Sequence, residues 1–214
     1  MKETTAKKKF MWNMAGSLCN SLSSMLLLII VNRISGESRG GFFALAYSTA
    51  QLLFSVGGFE IRPVQSTDIK NKFTFNQYFT SRMLNCIIML ICMIGYIVVN
   101  GYTGVEALTV FWILGYRMVE AVADVYSGLF QQRERIDISG KEMLMRSGIS
   151  TITFTIILWL TDNLLYAAMT LTLTSLVIML FYDLHMKKYF EPTPVHLEWR
   201  GILGIYNADR KSVV

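Results

Sequence analysis

The chain has little that catalysis usually needs. Only 16% of its 214 residues are charged, against the quarter or so usual in a soluble domain, and 53% are hydrophobic. There are two histidines, His185 and His196, and three cysteines, Cys19, Cys86 and Cys92. The cysteines are odd in number, lie inside apolar runs and have no metal-ligand spacing, so they read as small buried hydrophobes. No disulfide framework, zinc site or cofactor is expected. No Gly-rich phosphate loop, GxSxG, HExxH or paired DxD occurs, and no soluble catalytic domain is visible. These absences argue against an ATPase or a glycosyltransferase, and against an enzyme altogether. The three prolines, Pro63, Pro192 and Pro194, all fall outside the long apolar runs.

What the chain does have is apolar runs of about twenty residues, the length a helix needs to cross about 30 Å of hydrocarbon. Six are read, at about residues 12–34, 41–59, 84–99, 105–130, 147–160 and 164–184. The fold class expected is therefore an all-α membrane protein with about six transmembrane helices. The first run follows Lys7, Lys8 and Lys9 as a signal peptide would, but it is too long and ends at Arg33 where a small-residue cleavage site belongs. It reads as an anchor. The fifth run is short and rich in threonine, whose hydroxyls can return to the backbone.

The net charge of +5 reflects basic residues flanking the spans and is a topology signal, with no nucleic acid implied. With the N-terminus inside, seventeen of the twenty Lys and Arg residues fall on the cytoplasmic side, Arg33 and Arg39 fall outside, and Arg117 lies within a span. Both termini are thus expected in the cytoplasm, with a short segment 1–11, a six-helix lobe 12–184 and an amphipathic tail 185–214. Two cytoplasmic links, FTFNQYFTSRM and RERIDISGKEMLM, mix apolar residues with charges at helical spacing and read as helices lying on the inner leaflet.

The fourth span carries the most informative pattern. Arg117, Glu120 and Asp124 lie at i, i+3 and i+7, within an arc of about 60° on one helix face. Gly128 and Gln131 extend that stripe. Each charge at membrane depth costs about 2.5–3.5 kcal/mol on insertion scales, so the stripe needs partners or a wet cavity. An Arg117–Glu120 pair is one solution, but by itself it leaves Asp124 uncompensated. At the inner end of the second span, Glu60, Arg62 and Asp68 cluster, either as an interfacial anchor or as part of the same path. Arg33 either snorkels to the headgroups or faces the cavity. Tyr47 and Tyr116 are candidates to stack on a sugar, though nothing in the sequence selects them.

Three stretches resemble a known family: the first span with its Asn32-Arg33 exit and Gly36; GGFEIRPVQSTD with the following FTFNQYFTSRMLN; and YRMVEAVADVYSGLFQQRERIDISGK. Together they resemble the polysaccharide-biosynthesis membrane proteins, the O-antigen and capsule repeat-unit flippases of the multidrug/oligosaccharidyl-lipid/polysaccharide exporter superfamily. The resemblance implies one lobe of a MATE-like transporter that flips undecaprenyl-diphosphate-linked oligosaccharide by alternating access without ATP. It implies that Arg117, Arg62 and Arg33, with Glu120 and Asp124, line the substrate path, and that Asp124 or Glu120 couples a proton or sodium ion. Membrane lipids, the lipid-linked oligosaccharide, and a second lobe or a homodimer are the partners expected. Family members are about twice as long, so the chain reads as the first lobe, its tail a truncated linker. A cation-coupled multidrug antiporter and an inactive fragment stay open as alternatives.

Overall fold

The computed structural model describes residues 5–57, 61–68, 71–199 and 204–205. Helices α1 (Ala6–Gly57), α2 (Ile61–Thr67), α3 (Phe75–Val99), α4 (Gly104–Gln132), α5 (Ile136–Thr161) and α6 (Leu164–Ile178) follow in order, then a π-helical turn (Met179–Asp183) and α7 (Leu184–Phe190). No strand occurs among the described residues.

The first two expected spans are the two arms of α1. Helical dihedrals break only at Gly36, whose φ of 83° and ψ of 171° suit a residue without a Cβ. The arms fold back on each other. Asn32 occupies the space a side chain at Gly40 would need, and the Tyr47 hydroxyl donates to Ser24 Oγ at 3.0 Å. With α1 counted twice, and with α6, the π-turn and α7 as one continuous rod, the described residues make six helical passes, as the apolar runs predict.

Among the described residues four helices are long and apolar enough to cross a membrane: residues 6–55, α3, α5, and the α6–α7 rod. At 29 residues α4 is also long enough, but it carries Arg117, Glu120 and Asp124 in its middle and so lacks the apolar composition. It is the central helix, packed against both arms of α1 and against α2, α3, α5 and α6. Outward faces of α3 (Ile87, Ile91, Ile94, Val98), α5 (Ile152, Ile156, Trp159) and α6 (Leu173, Val177) stay exposed and apolar. Continuous exposed bands of this kind are a lipid contact.

The two amphipathic stretches do not lie on a leaflet. FTFNQYFTSRM forms the first turns of α3, opened by a capping box between Thr74 and Gln77, and most of RERIDISGKEMLM forms the first turns of α5. They run straight into the spans because their charges have buried partners inside the bundle, so the helices start about ten residues before the apolar runs do. The described tail is likewise not an amphipathic helix past Phe190. Residues 191–199 form an irregular strap against the start of α3, with Glu198 accepting from Thr74 at 2.6 Å and from Gln77 at 3.1 Å. The start of α1 and this strap sit at one end of the bundle, here the terminal end. Gly36 and the 162–163 loop sit at the other, the turn end, where Arg39 pairs with Asp162 at 3.0 Å.

Threonines of α5 do return their hydroxyls to the backbone: Thr153, Thr155 and Thr161 donate to the carbonyls of Ile149, Thr151 and Ile157. The tightest crossing joins α1 to α5. A Cβ on Gly16 would lie 2.3 Å from the Gly140 carbonyl oxygen, and one on Gly140 would lie 2.3 Å from that of Trp12. Small residues let the backbones meet, which is how membrane helices gain packing energy where lipid supplies no hydrophobic drive. Gly140→Leu is therefore expected to lower the thermal midpoint of detergent-purified protein sharply, overpacking costing about 1–3 kcal/mol or more. Gly41→Ala, with nothing within 4 Å, should not lower it and is expected to raise it slightly, Ala being the better helix former.

Candidate functional site

Arg117, Glu120, Asp124 and Arg62 come together near the middle and terminal half of the bundle, and two arginines not expected there complete the set. Arg62, from α2, donates to Asp124 Oδ1 at 3.0 Å, and Arg82, from α3, donates to Oδ2 at 2.8 Å. Asp124 is thus compensated twice. Glu120 accepts from Arg117 and, at 2.9 Å, from Asn20 of α1. Arg146 of α5 stands 3.9 Å from the Asn20-bound oxygen of Glu120 and donates to Glu142 at 2.6 Å. The guanidinium of Arg117 also lies over the Tyr47 ring, 4.4 Å from its centroid, and 5.4 Å from that of Tyr116, so both tyrosines serve the arginine.

Removing such charges from water costs several kcal/mol per ion, and only close, hydrogen-bonded partners offset it. Arg82 and Arg146 are each 2% exposed, so the pairs are the condition for these helices to pack at all.

The paired charges line a groove. One cavity of about 190 Å³ is bounded by Asn20, Phe54, Arg62, Glu120, Ala123, Asp124, Ser127, Met143 and Arg146. A second, of about 450 Å³, is bounded by Asn20, Ser21, Ser24, Tyr47, Ser48, Gln51, Phe54, Arg117 and Glu120. They share Asn20, Phe54 and Glu120, and so form one polar track between the arms of α1 and the face of α4. Ser21 and Ser48 are exposed on this track, beside outward-facing Leu18, Leu22, Leu45 and Leu52. A polar strip at membrane depth is not a lipid-facing surface, so it faces water, a ligand or protein. Arg62, Arg117 and Arg146 line it with Glu120 and Asp124; with Arg82 behind Asp124 and Glu142 behind Arg146, four arginines meet three carboxylates, one positive charge in excess. A third cavity, about 300 Å³ around Ser38, Arg39, Glu106 and Asp162, lies at the turn end, remote from the stripe.

Other sequence candidates lie elsewhere. Arg33 is exposed on α1 near the turn end and lines neither cavity of the groove. Asp68 holds a loop, accepting from the backbone N–H groups of Lys72 and Phe73 at 2.9 and 3.0 Å and from the Tyr78 hydroxyl at 3.2 Å. Glu60 lies outside the described residues. Gly128 sits on the stripe because the Gln65 side chain occupies the place of a Cβ. Arg82, Glu142 and Arg146 fall before the apolar runs, in stretches whose composition points to cytoplasmic flanks. The i,i+4 spacing of Glu142 and Arg146 was the one available sign that they belong inside a helix. Among the described residues no group of three His, Cys, Asp or Glu side chains could hold a metal ion.

Six helical passes with a lipid-facing exterior and an ion-paired polar groove at membrane depth define a multi-pass membrane protein of the transporter type. Residues 6–202 match the family described as polysaccharide biosynthesis protein, and the chain belongs to that family. It is a membrane family of flippase and exporter character. No curated protein and no solved structure matches the chain.

Asp124→Asn removes the carboxylate that two arginines share. The expected loss is about 3–5 kcal/mol, the cost of breaking a buried pair from one side. Arg62→Gln should cost distinctly less, because Asp124 keeps Arg82. Thermal unfolding of the purified variants checks this; equal losses would show that Asp124 does not depend on both arginines.

Proposed function

We propose that the chain is one lobe of a flippase for undecaprenyl-diphosphate-linked oligosaccharide in the bacterial cytoplasmic membrane, with both termini in the cytoplasm. It works by alternating access without ATP. The observation that carries this reading is the arginine excess in a groove that opens sideways from the bundle. A diphosphate headgroup brings negative charge to Arg62, Arg117 and Arg146, while Ser21, Ser24, Ser48 and Gln51 offer hydroxyl and amide partners to sugars. Tyr47 already spends one face on Arg117, which holds the guanidinium toward the groove.

The same excess of positive charge disfavours a cation-coupled antiporter for positively charged drugs. The groove has one wall in this chain, so a second lobe or a second copy supplies the other. That partner covers the polar strip that lipid cannot cover. The orientation rests on the Lys and Arg count along the sequence, which assigns seventeen to the cytoplasmic flanks, Arg62, Arg82 and Arg146 among them, against Arg33 and Arg39 outside.

In a strain deleted for this gene, Arg117→Gln and Arg62→Gln copies are expected to leave surface polysaccharide at least tenfold below wild type while the protein stays in the membrane fraction. Normal polymer from both would reject the groove as the path. Single cysteines at Gly36 and Arg133 test the orientation: a membrane-impermeant maleimide should label the first in intact cells and the second only after permeabilisation.

A further inference from the structure

Behind the groove, the seam between α5 and the α6–α7 rod holds a second ionisable cluster. Glu142 and Arg146 lie one turn apart on α5, and Asp183 closes the π-helical turn; each is at most 2% exposed. Arg146 and Glu142 are bonded at 2.6 Å, and the π-turn that carries Asp183 packs against α5, which makes these two its charged neighbours. Among the described residues Asp183 forms no ion pair, and its Oδ2 has no hydrogen-bond partner. Glu142 Oε2 and Arg146 Nη1 are also without partners, as are the fully buried hydroxyls of Ser150, one turn beyond Arg146, and Ser175, one turn before the π-turn. A π-turn inside a helix is itself a frequent mark of a working site.

The charges do not balance here. Arg117 is matched by Glu120, which leaves the single guanidinium of Arg146 for two buried carboxyl groups. Other elements do not supply the missing cation. From α4 come Tyr126, near Asp183, and Glu120; the π-turn adds Tyr182. Arg62 of α2 reaches Glu142 only through space and is bonded to Asp124. Arg135 is bonded to Asp137, and Lys187 of α7 gives its protons to the carbonyls of Glu191 and Thr193. The surplus cation of the region sits on the groove side, where Arg62 and Arg82 both hold Asp124, so the seam itself keeps two buried carboxylates and one guanidinium, a net charge of minus one that is expensive to hold. A proton removes it, and a protonated carboxyl has the O–H donor that the orphaned carboxylate oxygen lacks.

We propose that Glu142 and Asp183 share one proton and form the ion-coupling site of this chain, in place of Asp124 and Glu120, whose charges arginines already compensate. The proposal rests on the transport reading for its role, though not for its existence. Arg146 links it to function, since this arginine lines the groove on one side and holds Glu142 on the other. Uptake of a proton from the cytoplasm takes the pair from two negative charges to one. That weakens its hold on Arg146 and gives the groove more positive charge, so proton and anionic headgroup bind together.

The test is infrared difference spectroscopy of the purified chain in lipid nanodiscs, with no substrate added. Wild type at neutral pH is expected to show the carbonyl band of a protonated, buried carboxyl that fades as pH rises. Asp183→Asn should lose it, and so should Glu142→Gln, because a single remaining carboxylate is matched by Arg146. Glu106→Gln, at an exposed position, should keep it. No such band in wild type overturns the proposal; a band that survives in Glu142→Gln overturns the sharing. If the band behaves as expected while Arg117→Gln and Arg62→Gln copies still give normal surface polysaccharide in the deletion strain, the proton site stands and the flippase reading fails.

Discussion

The low dielectric of a membrane interior is the constraint on which this structure turns. Arg117, Glu120 and Asp124 put three formal charges in the middle of α4, and none of them can be left without an opposite charge. Asp124 therefore draws Arg62 from α2 and Arg82 from α3, and Glu120 draws Asn20 from α1 and Arg146 from α5. The four elements around α4 are placed by these bonds as much as by apolar packing. The early starts of α3 and α5 follow too, because Arg82 and Arg146 reach their partners only if the helices extend past the apolar runs.

The pairing does more than neutralise. Buried pairs are weak sources of stability, often no better than a hydrophobic replacement, so six ionisable groups in one region are a poor way to hold a bundle together. They make sense if the helices must present charge to something that enters the groove. The exposed serines beside Glu120 and Arg117 fit that view, as they carry the polar track to a face of the bundle that otherwise shows leucines. Arg146 stands where the groove and the Glu142–Asp183 seam meet, so a change of charge in one is felt in the other.

Much of this was legible along the chain. Long apolar runs are counted directly, and the period of 3.6 puts Arg117, Glu120 and Asp124 on one face without knowledge of any neighbour. The hairpin in the first helix is legible in the six residues between the runs at 12–34 and 41–59, though not that Gly36 alone makes the turn. Arg82 and Arg146 were misplaced because position relative to an apolar run says where hydrocarbon begins and nothing about where a helix begins. Asp183 was invisible because a lone acid at the end of a span looks like any interfacial residue until its neighbours are known. Arg33 shows the reverse: its type suited the groove, while its place near the turn end of α1 keeps it out.

The sequence by itself determined the membrane class, the six passes, the basic asymmetry of the two ends and the charged face of α4. All of these depend on spacing and composition along one strand of chain. The tertiary structure alone decided which cation meets which carboxylate, that Asp124 is bonded twice, and that Asp183 is left with a share of one arginine. Those outcomes depend on distances between segments 20–120 residues apart, where a shift of 1–2 Å separates a bonded pair from an orphan.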